Sequence, residues 1–509
     1  MKTKDRQAPL KNRRFFPEKP AFLPKADPCC ITVIYGIIPI STCPSGPVGC
    51  TTGTGRCGRA QKGFVNLQLE GKSLRSDFVK FVSATAASLM VFSLYSMVDG
   101  LLVSLGVNEY AMSAVNLAIP FTNALFSIAV MFAVGTSTII AIFLAQDKRW
   151  EADDLFSQNF AVLLGLGLLI SVSVTLLRGP FARLLGADAV TMDYVEDYLL
   201  GLAPFSACFI ISYNLEVLVK TDGYPRVAII TVTTGCLANC VMDYIAIFWL
   251  DMGVFGAAVA TGLSQLLTCV MYLIHFFGKK CTFRLRKFRF DPHVYRRLLP
   301  IGLSDGVTEL CTGVMILLFN RTVQKYLGAD GVVSYTVIAY VSTFIINLYM
   351  GVSQGAQPLI SYHYGKGDRK GCRTLLRYGL STAAGAAVLS FAVLEWLAPQ
   401  IVGTYLSGAS DALVASTVTA FRQYSVAYLL MGFNVVIGGY MTALEQPMPA
   451  ICISTGRGLI LQGGILLLLA AIIGGNSIWF APLLSELLCL VLSVIFLLRL
   501  KKSYETLSP

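Results

Sequence analysis

The feature that most constrains this chain is a set of twelve long apolar stretches. Crossing a bilayer as a helix takes roughly 20 mostly apolar residues. From Phe78 onward such stretches run over residues 78–105, 112–145, 155–177, 193–219, 226–250, 253–277, 297–327, 332–362, 373–398, 412–443, 448–473 and 476–499. They are continuous and do not alternate with period two, so they predict helices and not the strands of a barrel. Composition agrees: 55% of the 509 residues are hydrophobic, 14% are charged, and the mean hydropathy is +0.66. A soluble domain carries about a quarter charged residues. The expected fold is therefore an all-α polytopic membrane protein of twelve transmembrane helices. The fourteen Cys are scattered, mostly within apolar runs, and read as small core residues.

The formal charge of +11 might suggest nucleic acid as a partner, but the placement of the basic residues argues otherwise. With the start of helix 1 inside, the inner connections hold twenty Lys and Arg, among them Lys148, Arg149, Lys366 and Lys501. The outer connections hold four: Arg178, Arg183, Arg321 and Lys325. By the positive-inside rule both ends of the bundle are cytoplasmic, and the basic residues form a membrane-facing belt. The chain also repeats itself. Gly106 and Gly328, Gly186 and Gly408, and Pro225 and Pro447 are pairs separated by one constant interval, and Asp147 and Asp368 are separated by one position less. The expected organisation is two pseudo-symmetric six-helix lobes in parallel orientation, residues 78–277 and 297–502, joined by a basic linker at 278–296. Such repeats in transporters place the substrate path between the halves. Residues 1–77 read as a basic, disordered tail or as sequence upstream of a start near Val65, and 503–509 as a short tail. A signal peptide ending near Cys43 would put the start of helix 1 outside and invert the charge rule.

Ionisable residues within the hydrocarbon cost about 2.5–3.5 kcal/mol each on insertion scales and are functional candidates by default. In the first half Asp99 and Asp243 lie deep. Asp243 is nine residues before Met252, the centre of the loop between helices 5 and 6, and Thr261 is nine after it. Both should lie about 13 Å below the outer surface at 1.5 Å per residue. Asp99 is equally far from the first outer loop, and Asn239 shares the face of Asp243 one turn deeper. No Lys or Arg lies in the first-half helices at that depth, so these oxygens suit a proton or an alkali cation such as Na⁺. The bland alternative is that each Asp bonds a neighbouring helix. The second half holds Glu309 and Glu486 with Arg422 and Arg457, which can neutralise one another as a structural network. Glu216 has Lys220 four residues later, a pair expected at the inner interface. Gln354, Gln357 and Asn214 are further candidates for contact with substrate.

Other patterns carry no chemistry. Gly53-Thr-Gly55-Arg-Cys-Gly58 matches a dinucleotide fingerprint, but no βαβ unit surrounds it. Gly365-Lys-Gly367-Asp368 reads as a turn in a basic loop. His275, His293 and His363 are far apart, and Cys236 and Cys240 alone suit packing better than metal. No catalytic residue is assigned.

In order and at the right spacing, several segments resemble the MATE (multidrug and toxic compound extrusion) family, over Phe78 to about Lys502. SLYSMVDGLLVSLG in helix 1 is similar to the family's Y-N-x-V-D-x-x-F-V-G. NCVMD and GVFGAAVAT in helices 5 and 6 resemble its N-x-x-x-D and G-x-x-G-A-A-x-A-T. TDGYP and GVSQGAQPLISYHYGKGD match two further segments, and TELCTGVMILLFN looks like the MepA-like branch. The resemblance implies two six-helix lobes around a central cleft and export of mostly cationic, amphipathic drugs in exchange for H⁺ or Na⁺. It puts the family's N-lobe cation site on Asp99, Asn239, Asp243 and Thr261. The sequence departs from the NorM-like branch, which pairs a helix 7 Glu with a helix 10 Asp. Here Glu309 is displaced by one turn, and helix 10 has Arg422 and no Asp. The first inner loop reads LAQDKRW where the family has L-G-A-G-D.

The expected protein is thus a multi-pass antiporter of the bacterial inner (plasma) membrane. It works as a monomer among membrane lipids, without a cofactor beyond its coupling ion. Tyr95, Phe121 and Phe205 are candidates for cation–π contact with the drug. Two rivals stand beside this reading. A lipid-linked precursor flippase of the same superfamily would want a basic cavity, and a membrane-embedded enzyme would want a nucleophile and base that the sequence does not arrange.

Overall fold

The computed structural model describes residues 73–106, 109–185, 187, 191–278, 281–406 and 410–506, without the side chains of 96–101, 103–106, 109–114, 116, 329 and 503–506. The tail through residue 72, with the Gly53–Gly58 motif, lies outside the described residues. Apart from turns and the extended segment 281–292 the rest is helical, and no strand occurs among the described residues. Among the described residues twelve helices are long and apolar enough to cross a membrane. They are α1 (Leu74–Gly106), α2 (Glu109–Ala145), α3 (Arg149–Leu176), α4 (Met192–Thr221), α5 (Pro225–Trp249) and α6 (Gly253–Phe277). The second six are α7 (His293–Gly328), α8 (Asp330–Gly365), α9 (Arg369–Tyr405), α10 (Asp411–Ala443), α11 (Pro447–Ile472) and α12 (Gly475–Lys502). Helix α7 passes into α8 with only Gly328 out of helical conformation, at φ 73°. Glycine adopts this left-handed region without the steric cost other residues meet.

The helices extend beyond the apolar runs that reveal them. Helix α1 starts at Leu74, α3 starts at Arg149, and α9 continues to Tyr405. The added turn of α3 is polar because it grips the linker. Asp153 Oδ1 accepts a bond from the backbone N of Arg284 at 2.8 Å, and Ser157 Oγ accepts one from the N of Arg286 at 2.8 Å. Gln158 and Asp291 exchange a pair, at 2.8 and 3.2 Å. Arg286 returns to Asp153 at 3.0 Å and lies 4.4 Å over the Trp150 ring. Asp222, between α4 and α5, receives His275 at 2.8 Å and the N–H of Thr282 at 2.7 Å. Burial pushes the Asp222 carboxyl above the usual carboxylate range, against the pull of these two donors. The linker is thus a strap fastened along the first lobe.

One apolar core joins α2 to α6 and takes in Leu298 and Ile301 of α7 and Tyr362 of α8, and three more organise α7 to α12, one of them with Phe78, Phe81 and Val82 of α1. The repeat is visible in single bonds. Ser212 on α4 donates to Gln265 on α6 at 2.7 Å, and Asn434 on α10 donates to Glu486 on α12 at 2.7 Å. The second pair follows the first by the interval of the repeat, to within one position. Between the lobes the helices come close wherever a side chain is missing. Gly302 of α7 lies on the Met131 backbone of α2, Gly351 of α8 on Ala86 of α1, and Gly365 of α8 on Ala145 of α2. Small residues permit this approach where van der Waals packing, not water exclusion, drives helix association. Ser127 also donates to the carbonyl of Gly306 at 2.8 Å, and Asn347 to Ser93 at 2.6 Å. Most of these contacts lie toward the linker end of the helices, and Asn347–Ser93 lies near their middle.

Candidate ion and substrate site

Helix α5 carries Asn239 and Asp243 one turn apart, both fully buried. Two contacts fix its antiparallel register with α6: Gly235 against Thr268, and Ala246 against Gly256. Between them, Asp243 falls level with residues 259–260, one residue from Thr261. Asp243 and Thr261 thus stand at nearly one level along the two helices. Directly after Asp243 the helix widens into a π turn, Ile245–Trp249, a distortion frequent at functional sites. The Thr261 hydroxyl, however, donates to the Ala257 carbonyl of its own helix at 3.1 Å. The side chain of Asp99 lies outside the described residues.

Asn239 opens onto a cavity of about 70 Å³ enclosed by α1, α2, α4, α5 and α6. Among the described residues neither amide atom of Asn239 has a hydrogen-bond partner. Across the cavity stand Ser264, Gln265 and Thr268 of α6, and Glu216 of α4. The pair Glu216–Lys220 forms as its spacing suggests, at 2.7 Å, at the inner end of α4. Both residues are buried, at 9% and 4% exposure, and Glu216 faces the cavity. The inner end of α4 is wrapped by neighbouring helices, which counting residues from a loop does not register.

One wall of this cavity is aromatic. Phe92 lies 5.8 Å from Tyr95 and 6.1 Å from Phe126, and Phe126 lies 4.6 Å from Tyr213 and 6.1 Å from Phe209. Of the three aromatic candidates only Tyr95 lines it. Phe121 sits in the first-lobe core, and Phe205 is packed beneath Gly262 of α6. Tyr213 reaches the lobe boundary, beside Gln354 of α8. Asn214, its chain neighbour, turns the other way and accepts a bond from Asn159 of α3 at 3.2 Å.

The repeat places a counterpart cavity in the second lobe, and it is nearly closed, at about 20 Å³. Arg457, the repeat counterpart of Gly235, fills it and pairs with Glu486 at 3.1 Å. Asn434 adds a bond to the same carboxylate at 2.7 Å. The expected network of four charges therefore does not form as one. Arg422 pairs with Glu395 of α9 at 3.3 Å, both partly exposed. Glu309 lies beside Asp305, one turn earlier on α7. Asp305 is 9% exposed, bonded by Ser304 at 3.2 Å, with Gln357 beside it. The sequence reading passed over Asp305, although the run Ser304-Asp305-Gly306-Val307-Thr308-Glu309 sets two acids on one helix face. Among the described residues no group of His, Cys, Asp and Glu is arranged to hold a metal ion.

The chain matches the family model MatE over residues 84–245 and 306–462, two segments whose starts are offset by the interval of the repeat. It is 23% identical to the multidrug export protein MepA of Staphylococcus saprophyticus, over 84% of this chain and 95% of that protein. To the multidrug export protein MepA of Staphylococcus haemolyticus it is 24% identical, over 84% and 94%. A multidrug resistance MATE family transporter of the MOP superfamily, solved in an outward-facing conformation, superposes with a TM-score of 0.80 at 20% identity, covering 86% of this chain and 97% of that one. A MOP superfamily transporter from Pyrococcus furiosus gives 0.79 at 20% identity, over 84% and 95%. With the matched segments spanning more than half its length, the chain belongs to the MatE family, a family of multidrug efflux transporters and not of enzymes.

Proposed function

We propose that this protein exports lipophilic, mostly cationic compounds in exchange for inward-moving H⁺ or Na⁺, by alternating access between its lobes. The observation that carries the reading is the first-lobe cavity, where the unpartnered Asn239 amide and the Glu216 carboxylate, held by Lys220, face a wall of aromatic rings. Aromatic faces attract organic cations, by about 2 kcal/mol or more where water is excluded. A buried carboxylate favours a cation or a proton over an empty site. Asp99, Asn239, Asp243 and Thr261 are the proposed coupling set, and Tyr95, Tyr213, Glu216 and Gln354 the proposed contacts of the transported compound. The excess of Lys and Arg places the linker end and both ends of the bundle in the cytoplasm.

In the proposed cycle, a coupling cation entering from outside binds near Asp243 and displaces the exported compound. Each charge moving in down the membrane potential supplies about 2.3 kcal/mol per 100 mV. One charge in against one monovalent cation out cancels electrically, so uphill export draws on the ion's concentration gradient or on a second ion. The lining of the cavity holds Glu216, whose charge Lys220 balances from outside the lining, and among the described residues no Lys or Arg, so it offers no surplus positive charge to an anionic pyrophosphate-linked lipid. The deciding experiment is transport of a fluorescent lipophilic cation by purified protein in liposomes, with H⁺ and Na⁺ gradients imposed separately. Uphill movement under one gradient is expected; movement under neither removes the antiport reading.

A further inference from the structure

At the linker end, away from the first-lobe cavity, α2, α7, α8, α9, α10 and α12 enclose a pocket of about 730 Å³. Its ionic lining is Arg297, Arg369, Arg373, Arg377 and Lys501 against one acid, Glu445. Glu445 is already committed, since Arg297 holds it through Nε at 2.7 Å and Nη2 at 2.6 Å. Arg369, Arg373 and Arg377 follow one another at four-residue intervals on α9, so three guanidinium groups share one face. Among the described residues no carboxylate lies within ion-pair distance of Arg373 or Arg377, and both are exposed. Like charges spaced this way repel one another and destabilise the helix unless an anion sits among them. The planar fork of Arg fits the two free oxygens of a phosphodiester.

The remaining wall selects the kind of anion. Leu376 and Leu380 of α9 face Leu497 and Leu498 of α12 across the pocket, and Leu498 is 60% exposed. A soluble phosphate or nucleotide has no use for this apolar wall, whereas an acyl chain does. We infer that the pocket holds an anionic phospholipid, its phosphate between Arg373 and Arg377 and one acyl chain along the leucines between α9 and α12. Basic pockets between helices on the cytoplasmic side are a known way of holding acidic headgroups. The site is independent of the export reading, because it asks only that the bundle span a membrane with this end at one surface.

The test uses the full-length purified protein, stripped of lipid and titrated with phosphatidylglycerol or phosphatidylcholine, with bound lipid counted by native mass spectrometry. Arg373→Gln/Arg377→Gln removes the proposed ligands. Lys148→Gln/Lys370→Gln removes the same charge at exposed positions outside the pocket. Matching thermal unfolding and gel filtration for the three proteins establish that each is folded. The expected result is that phosphatidylglycerol binds the native and control proteins about tenfold or more tighter than the Arg variant, the order set by losing charge-assisted bonds to phosphate. Phosphatidylcholine should bind weakly throughout, and excess inorganic phosphate should displace nothing. Equal binding by all three proteins, or equal binding of the two lipids, overturns the site. Displacement by inorganic phosphate overturns the lipid and makes this a pocket for a soluble anion.

Discussion

Arg457 and Lys220 are buried cations that each lean on one carboxylate, and their surroundings predict different consequences of loss. Arg457 is 9% exposed and Glu486 3%, with Asn434 a second donor to the same carboxylate. Removing one partner of a buried pair leaves an uncompensated charge, at about 3–5 kcal/mol, whereas replacing both with apolar residues is often neutral. Arg457→Met should therefore lower the unfolding temperature in detergent sharply, and Arg457→Met/Glu486→Met should recover most of the loss. If the double variant is no more stable than the single one, the pair is not held by charge. In the first lobe the contrast lies between two oxygen-bearing residues at one depth. Asp243→Asn should abolish uphill export at normal expression. Thr261→Val should slow export by less than Asp243→Asn stops it, because the Thr261 hydroxyl, while donating to the Ala257 carbonyl of its own helix, keeps its oxygen lone pairs for a cation but carries no charge. Transport measured on both variants in liposomes separates the roles.

Elements were legible in the sequence to the extent that the bilayer dictates them. An apolar run reports the part of a helix that meets hydrocarbon, so the twelve spans stand where the runs stand, and their polar extensions do not show. Arg149 to Asp154 belongs to α3, yet it reads as loop because its side chains serve the linker. This docking of a basic, extended strap onto Asp153, Ser157 and Gln158 uses backbone groups of the linker, which carry no sequence signature. Its contribution can be measured. Asp153→Ala removes a charge-assisted bond to the Arg284 N–H and the ion pair with Arg286. Such a loss costs about 1.5–3 kcal/mol. The strap should then loosen, and trypsin should cut after Lys287 or Arg289 severalfold faster than in the native protein under identical conditions. Unchanged cleavage would mean that the remaining bonds of Gln158 and Asp222 hold the strap without it.

At the scale of the molecule, the constant interval between matching glycines and prolines shows two lobes from sequence alone, because such residues recur at turns wherever the backbone path recurs. What the interval does not show is how far the two halves have parted in their interiors. Four charges at similar depth in the second half read as one network, yet helix rotation sends Arg422 to Glu395, Arg457 to Glu486 and Glu309 toward Asp305. One of two related cavities is plugged by an ion pair, and the other stays open beside aromatic rings and acid. That asymmetry favours the first lobe as the seat of the chemistry, with the second as its rigid counterpart. Rigid lobes that rock must part where they now touch, at the linker end, where Gly365 of α8 lies on Ala145 of α2. Their exposed chain neighbours, Lys366 and Gln146, flank this contact and can be joined without crowding it. Gln146→Cys/Lys366→Cys, bridged by a short thiol-reactive linker cleavable by reductant, should stop export in liposomes and regain it on reduction. Each single Cys variant, treated alike, controls for the native cysteines and should transport throughout. A bridged double variant that exports at the native rate would mean that the lobes stay together at this end, and that the transported compound crosses by another route.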